Sequence, residues 1–120
     1  VTPLQRLRDK YGTASTKRRA LVQKAIRAEA PGGDALLSAQ DLVNDINTWY
    51  DPPARRRALE LVSDSVVAAG HAGVPWAKDL AGVADWLVNG GEDTDEWRQC
   101  FELLTRCRDA AAEWVIVKNA

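Results

Sequence analysis

DTDEWRQCFELLTRCRDAAAEWVIV, residues 93–117, runs for twenty-five residues without a glycine or a proline. Asp93 and Glu96 at its head have the spacing of a capping box, in which two side chains satisfy the orphan N–H groups of a helix start. Trp97, Phe101, Leu104, Ala111 and Val115 recur at helical spacing, and Cys100, Leu103, Cys107 and Trp114 fall beside them. Apolar surface wider than one stripe predicts a long central helix packed on two sides. Helices elsewhere in the chain must then cover both of its flanks.

Working back from it, apolar residues recur at helical spacing almost everywhere, and no segment alternates as a half-buried strand does. Leu4, Leu7 and Tyr11 predict a short first helix between Pro3 and Gly12. A second runs from about Thr16 to Ala30 with Leu21, Val22, Ala25 and Ile26 inward, broken by PGGD. Ser38 is read as the cap of a third, with Leu42, Val43, Ile46, Trp49 and Tyr50 as its stripe. Pro52 and Pro53 open a fourth whose inward positions are Ala58, Leu59, Val62, Val66 and Ala69. GHAG, with the only histidine, His71, closes it as a loop. Pro75 begins a fifth with Trp76, Leu80, Val83, Ala84 and Leu87, stopped by NGG. The expected fold is all-α: about six helices in one domain, two helical hairpins flanked by a short N-terminal and a long C-terminal helix. Aligning the chain with itself at an offset of 38 gives nine identities over positions 17–51, among them Arg18-Arg19-Ala20-Leu21 on Arg56-Arg57-Ala58-Leu59. This suggests a repeated helical hairpin.

The totals bound the class. The chain has 120 residues, 46% hydrophobic and 28% charged, with a formal net charge of −1. That is enough length for a core without staples. Neither a membrane-spanning run nor the apolar centre of a secretory signal is visible, so a cytoplasmic location is expected and no membrane partner. The abundance of Ala, Arg, Asp and Val suits bacterial coding of high GC content. Cys100 and Cys107, seven residues apart in a helix, would be separated by about 10 Å along its axis, too far for a disulfide.

Most chemistries lack their residues. Cys100 and Cys107 have no zinc-type partners, EDTDE (92–96) lacks the order of a calcium loop, and no phosphate loop or nucleophile elbow occurs. No cofactor or metal is expected, and no catalytic residue is assigned; the remote enzymatic alternative is a carboxylate cluster of Asp41, Asp45, Asp79 and Asp85.

The charge layout is more informative. Residues 1–30 carry eight Lys/Arg against two Asp/Glu, and 69–120 carry five against nine. No acid lies between Lys10 and Ala28, so the cations of the second helix lack intrahelical partners. Lys17, Arg18 and Arg19, and again Arg55, Arg56 and Arg57, stand at helix starts, where positive charge is unfavourable by roughly 0.3–1 kcal/mol each. Something outside those turns must compensate. The expectation is a non-catalytic protein-interaction module, an adaptor, an immunity-type inhibitor or an effector-associated domain, that meets another protein or itself through Arg18, Arg19, Arg55, Arg56 and Arg57. Trp86, off the main stripe of its helix, is the candidate aromatic anchor. The alternative is a nucleic-acid binder gripping phosphate with Lys17, Arg18, Arg19, Lys24 and Arg27 and the arginines at 55–57.

Overall fold

The computed structural model describes residues 16–119, with Gln5, Arg6 and Asp9 before them, so the helix expected around Leu4, Leu7 and Tyr11 lies outside the described residues. The described chain forms six helices and no strand: α1 (Thr16–Glu29), α2 (Gly33–Val43), α3 (Asn47–Tyr50), α4 (Pro52–Ala72), α5 (Ala77–Asn89) and α6 (Thr94–Lys118). The protein is all-α, as its periodicity predicts. α2, α4, α5 and α6 close a ring, α2 packing on α4, α4 on α5, α5 on α6 and α6 back on α2. α1 lies along the seam between α2 and α6, and α3 is a single turn against α4.

α6 is the long, multiply packed helix its sequence implies. Cys100, Leu104, Cys107, Ala111 and Val115 form its fully buried stripe, and Trp97, Phe101, Leu103, Ala110 and Trp114 flank it half-buried. Opposite stand Leu36, Leu37, Ala39 and Val43 of α2, Ala58, Val62 and Ala69 of α4, and Leu80, Val83 and Leu87 of α5. Trp76, 1% exposed, meets the half-buried Trp114 edge to face at 5.9 Å between ring centroids. Trp97 stacks on Phe101 at 5.5 Å and donates its indole N–H to the Val43 carbonyl at 3.1 Å, joining the start of α6 to the end of α2.

Several boundaries differ from the sequence reading. Ser38 caps nothing: α2 starts at Gly33, after Gly32 turns the chain at φ 69°. The expected third helix then breaks at Asn44–Ile46, where Asp45 Oδ1 accepts from Asn47 N–H at 2.9 Å, and resumes as α3. Tyr50, expected inside, is exposed, and its hydroxyl meets that of Thr94 at 3.1 Å. His71 is helical and exposed in the last turn of α4, which Gly73 ends in the left-handed conformation at φ 66°. α5 begins at Ala77 after a turn through Val74–Trp76, not at Pro75. Asp93 caps α6 as expected, accepting from Asp95 N–H at 2.8 Å, whereas Glu96 forms no return bond and its Oε2 is buried without a partner. The 38-residue repeat finds no support: the PGG turn that ends α1 has its counterpart at Ala69–His71, inside α4.

Leu21 is the most consequential difference. α1 buries only Ile26 fully and leaves Val22 and Ala25 half-buried, whereas Leu21, expected inward with them, is 50% exposed. The helix is therefore rotated so that one large apolar side chain stands among its cations.

Candidate functional site

The basic helix starts separate into side chains used inside the fold and side chains left to solvent. Arg55 belongs to the first group. Its Nε donates to the Leu87 carbonyl at 2.9 Å, Nη2 to those of Gly90 at 2.7 Å and Trp86 at 3.2 Å, and Nη1 to those of Trp49 and Gly91 at 3.3 Å each. Its guanidinium carbon lies 3.8 Å from the Trp49 ring centroid. The physical reason is the end of α5. Gly90 continues extended, at φ −65° and ψ 145°, instead of turning into the left-handed cap that would satisfy the last carbonyls from within. Arg55 supplies the missing donors, and the negative end of one helix compensates a cation at the positive end of another.

Arg27 is also engaged. Its Nη1 donates to Asp34 Oδ1 at 2.5 Å, and Nη2 lies 3.6 Å from Asp41. Arg57 pairs with Glu60 one turn on at 3.3 Å. Arg18 is half-buried and makes an interaction of its own. Arg56 is exposed and, like Lys17, Arg19 and Lys24, has no hydrogen-bond or ion-pair partner among the described residues. Of the arginines at 27, 55 and 57, Arg55 is committed to the end of α5, and Arg27 and Arg57 have carboxylate partners at the surface.

What remains on α1 is a compact outward face. Lys17, Leu21, Lys24 and Ala28, spaced i, i+4, i+7, i+11, share one side of the helix and are all exposed. α1 has no acid in its first turn, so the unfavourable placement of Lys17 and Arg19 is not relieved locally. A face that carries an exposed leucine between lysines suits an acidic surface with an apolar centre. The signal missing from the sequence reading was the orientation of Leu21, which is fixed by which side of α1 meets the seam between α2 and α6.

Trp86 occupies a different place. It is half-buried between α5 and α6 and lines an open cleft of about 260 Å³ with Gln99, Glu102, Leu103 and Arg106 of α6. The four α6 residues lie at i, i+3, i+4 and i+7, so one face of that helix forms the wall opposite the indole. Arg106 Nη2 also stands 3.8 Å from Asp79. An indole and a leucine edged by an arginine, a glutamine and a glutamate have the composition of a small interaction hot spot. Sequence periodicity singled out Trp86 but not its lining, since only the pairing of α5 with α6 brings these residues to it.

The acids do not converge. Asp41 faces Arg27, Asp45 accepts from the Asn47 backbone, Asp79 faces Arg106, and Asp85 accepts from Asn89 at 2.8 Å. Among the described residues no group of three or more His, Cys, Asp and Glu side chains is placed to hold a metal ion. Cys100 and Cys107 are free thiols in the core, and burial pushes each up to about 12. Such protonated thiols are inert packing groups at neutral pH. No described helix is long and apolar enough to cross a membrane. Comparison with protein-family models, with curated proteins and with solved structures finds no match for this chain.

Proposed function

We propose that this chain is a non-catalytic protein-interaction module whose docking surface is the outward face of α1, with the Trp86 cleft as a second contact site. The observation that carries the reading is the set of α1 cations that make no pair within the fold. Lys17, Arg19 and Lys24 are exposed and unpartnered among the described residues; Lys17 and Lys24 flank the half-exposed Leu21 on the outward face, and Arg19 stands on the other side of the helix. Three cations and a leucine on one helix favour a limited protein surface over a polyanion. A nucleic acid contacted at several phosphates needs a longer stripe, and the arginines that would extend it are bound to Asp34, Asp41, Glu60 and the carbonyls of α5.

The reading is tested by comparing the wild type with a Lys17/Arg19/Lys24→Glu variant. Affinity capture should yield a protein that the variant loses, and the complex should reassemble from the two purified components. In parallel, fluorescence anisotropy with duplex DNA, single-stranded DNA and RNA should show no binding at physiological salt. Nucleic-acid binding that falls steeply with salt and disappears in the variant would replace this reading with a phosphate grip.

A further inference from the structure

We propose that the partner met by α1 is a second copy of this chain, which docks through the outward face of its α4. This inference rests on the interaction-module reading and names its partner. α4 presents Glu60, Asp64, Val67 and His71 at the same i, i+4, i+7, i+11 spacing as Lys17, Leu21, Lys24 and Ala28 on α1, and all eight side chains are exposed. Val67 is 59% exposed and Leu21 50%, the one large apolar side chain in each strip.

An antiparallel pairing brings the two strips into register. With Leu21 against Val67, Lys24 falls opposite Asp64, Lys17 opposite His71, and Ala28 opposite Glu60, which already pairs with Arg57. A parallel pairing would set Leu21 against Asp64 and Lys24 against Val67, leaving one opposite-charge pair, Lys17 with Glu60, whose carboxylate Arg57 already engages. The antiparallel register is favoured because it alone joins the two apolar side chains and matches a lysine with a carboxylate that has no ion pair. Asp64 makes no ion pair among the described residues, so its pairing with Lys24 breaks no existing bridge.

One chain cannot satisfy this complementarity by itself. α1 packs on α2 and α6, whereas α4 packs on α2 and α5, so the two outward strips belong to different flanks of the ring. Two chains can satisfy it twice, the α1 of each on the α4 of the other, in the twofold arrangement commonest among soluble dimers. Each substitution at the contact then acts at two places. The charge pairs also make the association sensitive to salt.

Sedimentation equilibrium over a range of protein and salt concentrations tests the proposal with five samples: wild type, Lys24→Glu, Asp64→Lys, an equimolar mixture of these two variants, and the chain carrying both substitutions. The wild type should pass from 13.2 kDa to twice that mass with concentration and associate less at high salt. Either single reversal should weaken pairing about tenfold. The mixture and the double variant should both recover it, because each restores opposite charges across the contact. Circular dichroism of the variants should match the wild type, since both positions are exposed. A wild type that stays at 13.2 kDa at every concentration overturns the proposal, as does association that neither reversal weakens. In the first case, capture of a different protein that is lost on reversing Lys17, Arg19 and Lys24 would leave the interaction reading standing while self-pairing falls.

Discussion

Arg55 lies over the Trp49 ring, 3.8 Å from its centroid, and from there its guanidinium reaches four carbonyls in Trp86–Gly91 and that of Trp49 itself. An indole platform fixes the plane of the fork, and the fork fixes where α5 ends. Arg55→Ala should lower unfolding free energy by about 2–4 kcal/mol in urea denaturation, the range for losing several charge-assisted bonds together with a cation–π contact. Arg55→Lys should recover less than half of the loss, because an ammonium cannot donate in one plane to carbonyls spread over that arc. Arg56→Ala, one residue on and facing solvent, should change stability by no more than about 0.5 kcal/mol.

Gly32 and Gly73 hold nearly the same left-handed φ, 69° and 66°, in opposite surroundings. A Cβ on Gly73 would meet nothing within 4 Å, whereas one on Gly32 would come within 2.8 Å of the Ser65 carbonyl and hydroxyl. Gly73→Ala should therefore cost only the conformational penalty, about 1–2 kcal/mol. Gly32→Ala should cost more, since it also forces apart the turn that Ser65 Oγ holds by donating to the Gly32 carbonyl at 2.9 Å. Equal losses in thermal or urea unfolding would show that the crowding at Ser65 is relieved at no cost.

Burial pushes the Cys100 and Cys107 thiols from 9.0 up to about 12, and Asp79 adds to the effect at Cys107. The folded chain thus keeps both protons where the unfolded chain begins to release them. Their stabilising contribution is complete below about pH 9 and is lost as pH rises from there toward 12, at up to about 1.4 kcal/mol per pH unit for each thiol. Cys107→Ala should be less stable than wild type at pH 7 by about 1 kcal/mol, from the small cavity it leaves. Above pH 9 that deficit should shrink, so urea midpoints of the two proteins converge between pH 8 and 11. Parallel curves would mean that Cys107 does not contribute to the alkaline loss.

Reversing charge on α1 should separate binding from folding. Lys17, Arg19 and Lys24 make no internal ion pair among the described residues, and the first two stand at the positive end of the helix dipole. Glutamates at 17 and 19 should stabilise α1 by a few tenths of a kcal/mol each. The triple variant should therefore melt at or slightly above the wild-type temperature while losing its partner. A fall in melting temperature of several degrees would mean that these lysines and Arg19 have a structural role.

The helical class and the central position of α6 were legible because both rest on periodicity that survives folding unchanged: Cys100, Leu104, Cys107, Ala111 and Val115 keep one stripe, and Trp97 and Phe101 flank it. Boundaries set by long-range contacts were not. Gly32-Gly33 reads as a break in sequence, yet Gly33 opens α2, because its missing side chain lets the helix start against the Ile26 backbone. Arg55, Arg56 and Arg57 are indistinguishable as a string. Successive helical positions point about 100° apart, so one of the three turns toward the end of α5 and two face water. A hint of this was present in NGG: a helix that ends without a left-handed glycine needs donors from elsewhere, although nothing in the string says from where. Leu21 was misplaced for a related reason, since a helix with one fully buried residue has no stripe strong enough to fix its rotation.

The clasp formed by Arg55 bears on how the molecule opens. Helix ends ordinarily fray one residue at a time, and their amides exchange with solvent through small local excursions. Here the last turn of α5 cannot loosen without releasing the first turn of α4 and uncovering Trp49, so three separate stretches of chain must open together. α1, anchored by Ile26 and by surface pairs, is under no such restraint. Hydrogen exchange would then divide the protein into a ring that opens as one unit and a basic helix that opens on its own, which leaves α1 free to adjust to whatever it meets without a cost to the rest of the fold.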